Sequence, residues 1–385
     1  SSNNAHFVVP AGKTGTLYQD PRCVYYGKLT GAGTFNVYAG GVRNYLQGDW
    51  SAFAGTVVPG VLKRGTYAPS FDFNNTYGLP NATLMLNSGV TVNNDGKEFP
   101  IGKVSGSGTL AGTGAYSLVG DGDFYLSANT TSSTPLIKKG AGKMTILSLG
   151  RILGSLEIKE GTLQFYQSSA TTAVSGSTAT ASGAGQIVGC GLLPSLIMTD
   201  NAQLTPCSYT SDVTVGTIKT NLLVRTSGNA TINFIIASKS GNVITNSMLQ
   251  VGTSLICNGV VNVTMLDTYT PAAGDSICLW TANSYQGTPK VNLPSLPSGL
   301  EWDTSSLAGT VGVLKIKTAT GIASISANDE VECEVYTVGG VNVGSLTTMR
   351  KSITAGVKSL GVPSGTYIVK MRSGNNVGTQ TVNVK

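Results

Sequence analysis

The sequence predicts an all-β protein, a right-handed parallel β-helix of the pectin-lyase-like solenoid type followed by a small antiparallel β-sandwich. Three observations carry that expectation. Charged residues are only 11% of the chain while Gly alone supplies 50 of 385 residues, against a usual charged share of about a quarter. Short alternations of apolar and polar residues bounded by Gly, Asn, Asp or Ser recur throughout. A glycine-punctuated unit also repeats along the chain.

Composition bounds the rest. A hydrophobic fraction of 41% supports a folded core. Glu, which helps build solvated helix surfaces, is scarce, and β-branched residues are plentiful. No window shows a sustained 3.6-residue period with caps, so very little helix is expected. The net charge of +6 comes from 25 basic and 19 acidic residues spread thinly, and no basic run exceeds Lys138-Lys139. That excludes an electrostatic footprint for nucleic acid. No apolar run is long enough to span a bilayer as a helix. Residues 1–20 read as folded sequence without a signal-peptide pattern, so a mature or truncated chain is expected.

The N-terminal coils carry Tyr18, Tyr25, Tyr26, Tyr38, Tyr45 and Trp50, part of a total of 15 Tyr. Exposed rings of this kind serve as stacking platforms for sugars, which makes Tyr38, Tyr45 and Trp50 the candidate binding residues. The competing expectation, which we favour, puts these rings in the core or over the open end of the helix. Thr34-Phe35-Asn36-Val37-Tyr38 alternates as a strand. The segment Gly27-Lys28-Leu29-Thr30-Gly31-Ala32-Gly33-Thr34-Phe35 returns as Gly102-Lys103-Val104-Ser105-Gly106-Ser107-Gly108-Thr109-Leu110. Glycine at each corner permits close backbone approach, and each coil leaves a hydrophobic face that only the next coil can cover.

A looser unit runs Leu136-Ile137-Lys138-Lys139-Gly140-Ala141-Gly142-Lys143-Met144-Thr145-Ile146 and continues in Leu156-Glu157-Ile158-Lys159-Glu160-Gly161-Thr162-Leu163-Gln164-Phe165. Over about thirty residues it resembles the autotransporter-associated β-strand repeat of secreted β-helical passenger domains. It departs from that pattern at Met144 and at Ser148-Leu149-Gly150-Arg151, where the family has an Asn- or Gly-rich turn. A Ser-, Thr- and Gly-rich stretch near 168–190 reads as an irregular insert. Gly259-Val260-Val261-Asn262-Val263, Pro271 to Ile277 and Gly299 to Thr304 resemble the closing coils of the same passenger proteins, which implies a helix over residues 1–325.

The alternating stretches Val331 to Gly340 and Gly361 to Lys370 differ in kind. With V-x-V-Y and G-x-Y-x-V features they resemble the C-terminal sorting domain of Bacteroidetes proteins exported by type nine secretion. That resemblance implies a sorting or capping β-sandwich over 328–385. Together the resemblances imply an extracellular or outer-membrane-surface location in a Gram-negative bacterium.

Chemistry is thinly provided. A lyase would need clustered carboxylates for Ca²⁺ with a basic residue to take the proton, and a hydrolase would need paired carboxylates. A close acidic pair in the helical region is Asp121-Gly122-Asp123, at the spacing that puts both groups on one side of a strand. These two are the candidate catalytic residues, against a turn reading of Gly-Asp-Gly-Asp that we favour. Asp49 and Asp72 stand apart. The lone histidine, His6, has no nucleophile motif such as G-x-S-x-G to serve. Gly31-Ala32-Gly33 and Gly106-Ser107-Gly108 lack the P-loop context and read as corners.

Six cysteines occur singly, with no C-x-x-C pair, so no metal site and no cofactor are expected. Cys190 and Cys207 can pair only if adjacent coils stack them, and the favoured reading is a small buried apolar residue at each. The function expected is therefore a non-catalytic secreted or cell-surface scaffold of adhesin-like type, contacting glycans or host and cell-surface proteins. The alternative is a polysaccharide-active lyase or hydrolase, or a carbohydrate-binding module, on a β-helix.

Overall fold

The computed structural model describes residues 2–20, 22–42, 44–62, 71–146, 152–166, 178–207, 215–319, 325–374 and 376–385. Its fold is a parallel β-helix with a small antiparallel unit at its C-terminal end, as the composition and repeats imply.

Each coil contributes up to three strands, and the ladders that join coil to coil define three faces. On face one the register runs Phe99, Tyr116, Leu136, Leu156, Ala179, Leu196, Val224, Leu255, Tyr285. Face two begins with the strands Thr14–Gln19, Thr34–Ala39 and Thr56–Val61 and ends with Val260–Met265 and Lys290–Asn292. Face three opens with the register Ser2, Val24, Tyr45, Asp72, Asn93, Ala111. Thirteen strands line face two among the described residues, which at about 4.8 Å per coil gives a rod roughly 60 Å long.

The interior is one continuous core from Val9 to Ile316. Strand alternation builds it. In Thr34–Ala39 the residues Phe35, Val37 and Ala39 are buried while their neighbours face out. Because coils stack in register, side chains of like character lie on top of one another, and the face-one column from Tyr116 to Leu255 is fully buried. Each such aliphatic residue contributes roughly 1.5–3 kcal/mol through burial.

Corners explain the glycines. Gly31 and Gly106, at matching places in the two sequence copies, have φ of 103° and 83°. A Cβ at Gly31 would lie 2.1 Å from the carbonyl oxygen of Val9, and one at Gly106 would lie 2.1 Å from that of Leu86. The two copies nevertheless sit at different corners. The first joins Leu29–Gly31 to Thr34–Ala39, from face one to face two, and the second joins Phe99–Gly106 to Thr109–Gly112, from face two to face three. The repeated segment is a corner motif, not a whole coil. Leu136–Lys138 and Lys143–Ile146 again span the corner from face one to face two. Ser148 to Arg151, where that unit departs from the family pattern, lies outside the described residues.

Of the insert expected near 168–190, residues 168–177 also lie outside the described set. The remainder is not irregular, because Ala179–Ala181 and Gln186–Leu193 are strands that keep the stack. Small residues at 179 and 181 fill inward positions, which a composition-based reading takes for loop.

The parallel stack ends at Lys290–Asn292. Instead of further coils, Val311–Thr318 pairs antiparallel with Ser276–Gln286, and Leu300–Asp303 pairs antiparallel with Val311–Thr318. The last coil would otherwise present an unpaired edge and bare core. Trp280 fills that end, donating from Nε1 to the Gly309 carbonyl at 3.1 Å, and Gly312 leaves room for its ring.

The C-terminal unit has its own core, from Ile325 to Val384. Four antiparallel strands run in the order Asn342–Met349, Glu330–Thr337, Gly365–Ser373, Asn376–Val384. A short helix, α1 (Ile353–Ser359), buries Ile353 and Val357 against this sheet. At seven residues it is too short to print a helical period in the sequence.

A glycine column marks where coil stacking is least forgiving. A Cβ at Gly120, Gly140 or Gly161 would stand 2.3 Å from the carbonyl oxygen of Gly102, Gly120 or Gly140 beneath it. Gly140→Val is expected to destabilise the fold by about 2–3 kcal/mol, read as a lower midpoint in urea denaturation. Gly339→Ala, whose Cβ would meet only Thr337 Oγ1 at 3.8 Å, should leave that midpoint within experimental error.

Candidate functional site

Asp121 and Asp123 lie in the turn before Phe124–Leu126, on the exposed side of the rod. Each carboxylate is engaged by the next coil. Asp121 Oδ1 accepts from the Ala141 amide at 3.0 Å, and Asp123 Oδ1 accepts from the Lys143 amide at 2.9 Å. Lys143 Nζ stands 3.7 Å from Asp123 Oδ2. The two groups act as braces between stacked turns. Asp49 is likewise used locally, accepting from the amide and hydroxyl of Ser51, and His6 is exposed.

Beneath this turn lies a residue whose role the sequence reading missed. Lys138 occupies the inward column between Leu118 and Ile158 and is fully buried. Its ammonium donates to the Gly140 carbonyl and to the Glu160 carbonyl, the latter at 3.5 Å. Burial pushes its pKa down, and Glu160, Asp121 and Asp123 oppose that shift. The available signal was parity: Leu136 and Lys138 share a side of one strand, so a buried Leu implies a buried Lys. Its ammonium thus bonds carbonyls at two stacked corners.

The aromatic candidates separate. Trp50 is buried, its Nε1 donating to the Gly27 carbonyl at 3.1 Å, and it packs edge-on against Tyr25 and Phe35. A ring so placed offers no face to a sugar, so Trp50 is withdrawn as a binding residue. Tyr45 points outward from Asn44–Leu46 on face three, beside Asp72 in register. Tyr38 points outward on face two, where it stacks with Tyr18 at 5.3 Å between centroids and 16° between planes. A Cβ at Gly60, the next rung, would meet the Tyr38 ring at 2.4 Å. The rings overlap like shingles over a bare backbone, and Tyr18 remains 66% exposed.

A polar column continues along the same face. Asn233 donates to Thr205 Oγ1 at 3.2 Å, Asn262 donates to Asn233 Oδ1 at 3.1 Å, and Asn292 donates to Asn262 Oδ1 at 2.7 Å. In-register stacking lets one amide satisfy the next, so these groups knit the coils. The C-terminal sheet shows a charged outer surface with opposed Glu332/Arg372 and Glu334/Lys370 rungs. Lys370 Nζ lies 4.9 Å from the Tyr336 ring centroid.

One buried ionic cluster stands apart from these surfaces. Asp275 is 5% exposed, and its carboxylate accepts from Lys239, from Tyr269 Oη at 2.7 Å and from the Ala272 amide at 3.0 Å. The cluster pins the loop before Ser276–Gln286 to the hairpin of Thr231–Ser240 and Val243–Asn246.

Among the described residues no three His, Cys, Asp or Glu side chains gather as a metal site, and no helix is long and apolar enough to cross a membrane. No family model matches the chain, and no curated protein matches it in sequence.

Burial raises the Asp275 pKa, but the donors from Lys239, Tyr269 and Ala272 outweigh it and hold the carboxyl below its usual range. A depressed carboxylate contributes stability above its unfolded pKa, near 3.9, and loses it as pH falls through the folded value. The melting temperature should therefore drop on acidification below about pH 4, and Asp275→Asn should flatten that part of the profile. At neutral pH the same substitution should destabilise by about 2–3 kcal/mol, since Lys239 is left without its counter-charge.

Proposed function

We propose that this chain is a non-catalytic, secreted or cell-surface β-helical scaffold of adhesin-like type, displayed on the outside of a Gram-negative bacterium. Its partners would be glycans or host and cell-surface proteins, met along the rod rather than in a cleft. The observation that carries this reading is the use made of Asp121 and Asp123: both carboxylates accept from backbone amides of the next coil, which gives them a duty in the stack. The Tyr18–Tyr38 pair is the surface feature best suited to contact, because it offers a flat apolar face on a polar wall. The resemblances of the Leu136 to Phe165 unit to autotransporter repeats, and of residues 328–385 to the type nine sorting domain, support the location.

A binding and depolymerisation screen of the purified chain against host and plant glycans, with and without Ca²⁺, tests this directly. The expected result is binding to a subset of glycans with no release of unsaturated or reducing oligosaccharides. Tyr18→Ala should weaken that binding about tenfold, and Asp121→Asn with Asp123→Asn should leave it unchanged. Oligosaccharide release that those two Asp substitutions abolish would assign the chain to the polysaccharide-active enzymes instead.

A further inference from the structure

The outward side of face two carries Tyr166, Cys190 and Cys207 on successive coils. The ladder pairs Tyr166 with Cys190 and Gly189 with Pro206, and the Cys207 amide donates to the Gly189 carbonyl at 2.9 Å. The next rung therefore places Cys207 beside Cys190. Burial confirms the parity: Ile187 and Leu204 point inward, Val188 and Thr205 outward, and both cysteines fall on the outward beat, half-buried. In-register residues of parallel strands project from the same side, about 4.8 Å apart. A disulfide spans Cα separations of roughly 4.4–6.8 Å. Burial pushes the Cys207 thiol up, the Gly189 backbone pulls it part of the way back, and the neighbouring Cys190 adds to the rise.

No other two cysteines share neighbouring rungs among the described residues. Cys23 accepts at its carbonyl from the Tyr45 amide at 3.0 Å, Cys257 stands beside Thr226, Cys278 faces Val313, and Cys333 lies between Leu346 and Met371.

We propose that Cys190 and Cys207 are the site of an inter-coil disulfide that staples two turns of the rod on its outer wall. One cysteine thiolate attacks the disulfide of an oxidant, a dithiol oxidase in the cell or oxidised glutathione in the tube, and expels one of its thiolates. The second cysteine thiolate then attacks the mixed disulfide at the protein sulfur. The Cys190–Cys207 bond forms, the second oxidant thiolate leaves, two electrons have reduced the oxidant, and the two cysteine protons pass to water or to the departing thiolates. In a solenoid each coil is held only by its neighbours, so a covalent tie across one interface resists opening there. Formation in the cell rests on the extracytoplasmic location proposed above, whereas formation in the tube does not.

The folded full-length chain is incubated with oxidised glutathione, its remaining thiols are alkylated, and a non-reducing digest is analysed by mass spectrometry. The expected product is a cross-linked peptide joining Cys190 to Cys207, with Cys23, Cys257, Cys278 and Cys333 still alkylatable after unfolding. Oxidised protein should melt several degrees above its reduced form. Cys190→Ser and Cys207→Ser, checked for folding by circular dichroism, should each remove both the cross-link and the redox dependence of melting. Full alkylation of Cys190 and Cys207 in the oxidised, folded chain would overturn the proposal, as would their pairing with other cysteines. Neither outcome bears on the glycan screen. Recovery of the cross-link only from oxidised samples, and never from protein collected outside cells, would keep the site and count against the location.

Discussion

Everything in the rod depends on the backbone contact between one coil and the next. A parallel coil has no partner within itself: every outward N–H and C=O along its strands finds its bond only on the turn above or below. That requires successive coils to approach to the spacing of a sheet at all three faces and at the corners between them. The corners set the tightest limit, because chain direction changes there while the carbonyls still point along the rod. The result is the glycine column from Gly102 to Gly161, where a single methyl group would collide with the oxygen beneath. A chain rich in glycine and poor in charge is what such stacking demands. Every outward side chain has a like-placed neighbour about 4.8 Å away, and like charges so spaced repel.

The same constraint decides what polar groups do. Thr205, Asn233, Asn262 and Asn292 bond one another because register sets donor beside acceptor. Thr226, inward on face one, accepts from the Gly259 amide at 3.1 Å and donates toward Cys257 Sγ. Lys138 lies in the core with its charge turned on corner carbonyls. Asp121 and Asp123 reach from one turn to the amides of the next. In each case a group that reads as potential chemistry is consumed by inter-coil bonding. A convergent site needs side chains released from that duty and drawn into a hollow.

The fold was legible because its signals are local. Alternation in Thr34 to Tyr38 reports one buried face, and the glycines at 31 and 106 report corners with φ that other residues avoid. Which corner a motif turns, however, is set by its phase relative to coils of unequal length, and no local pattern carries phase. Coils on face one advance by 17 residues between Phe99 and Tyr116 but by 31 between Val224 and Leu255, so equal motifs land on different corners. The strands within 179–193 were hidden for a related reason. Alanine and glycine at inward positions give no hydrophobic contrast, and only the neighbouring ladders make Ala179 and Ala181 core residues. Trp50 illustrates the reverse: clustered aromatics near the chain start suit a surface platform or a core, and only the packing of Tyr25, Phe35 and Trp50 against one another separates it from Tyr38.

The C-terminal end of the rod shows how a solenoid is stopped. Parallel coils can continue for as long as the sequence supplies corners, so termination needs a change in strand direction. Leu300–Asp303 and Val311–Thr318 supply it by folding back antiparallel over the last coil, with Trp280 filling the exposed core. The edge at Ser276–Thr281 is therefore satisfied before the chain reaches its C-terminal sheet. That sheet closes its own core around Val331, Val335, Val369 and Val382 with the help of α1. A unit that buries its own apolar face, and is not needed to seal this edge, is free to carry a different task.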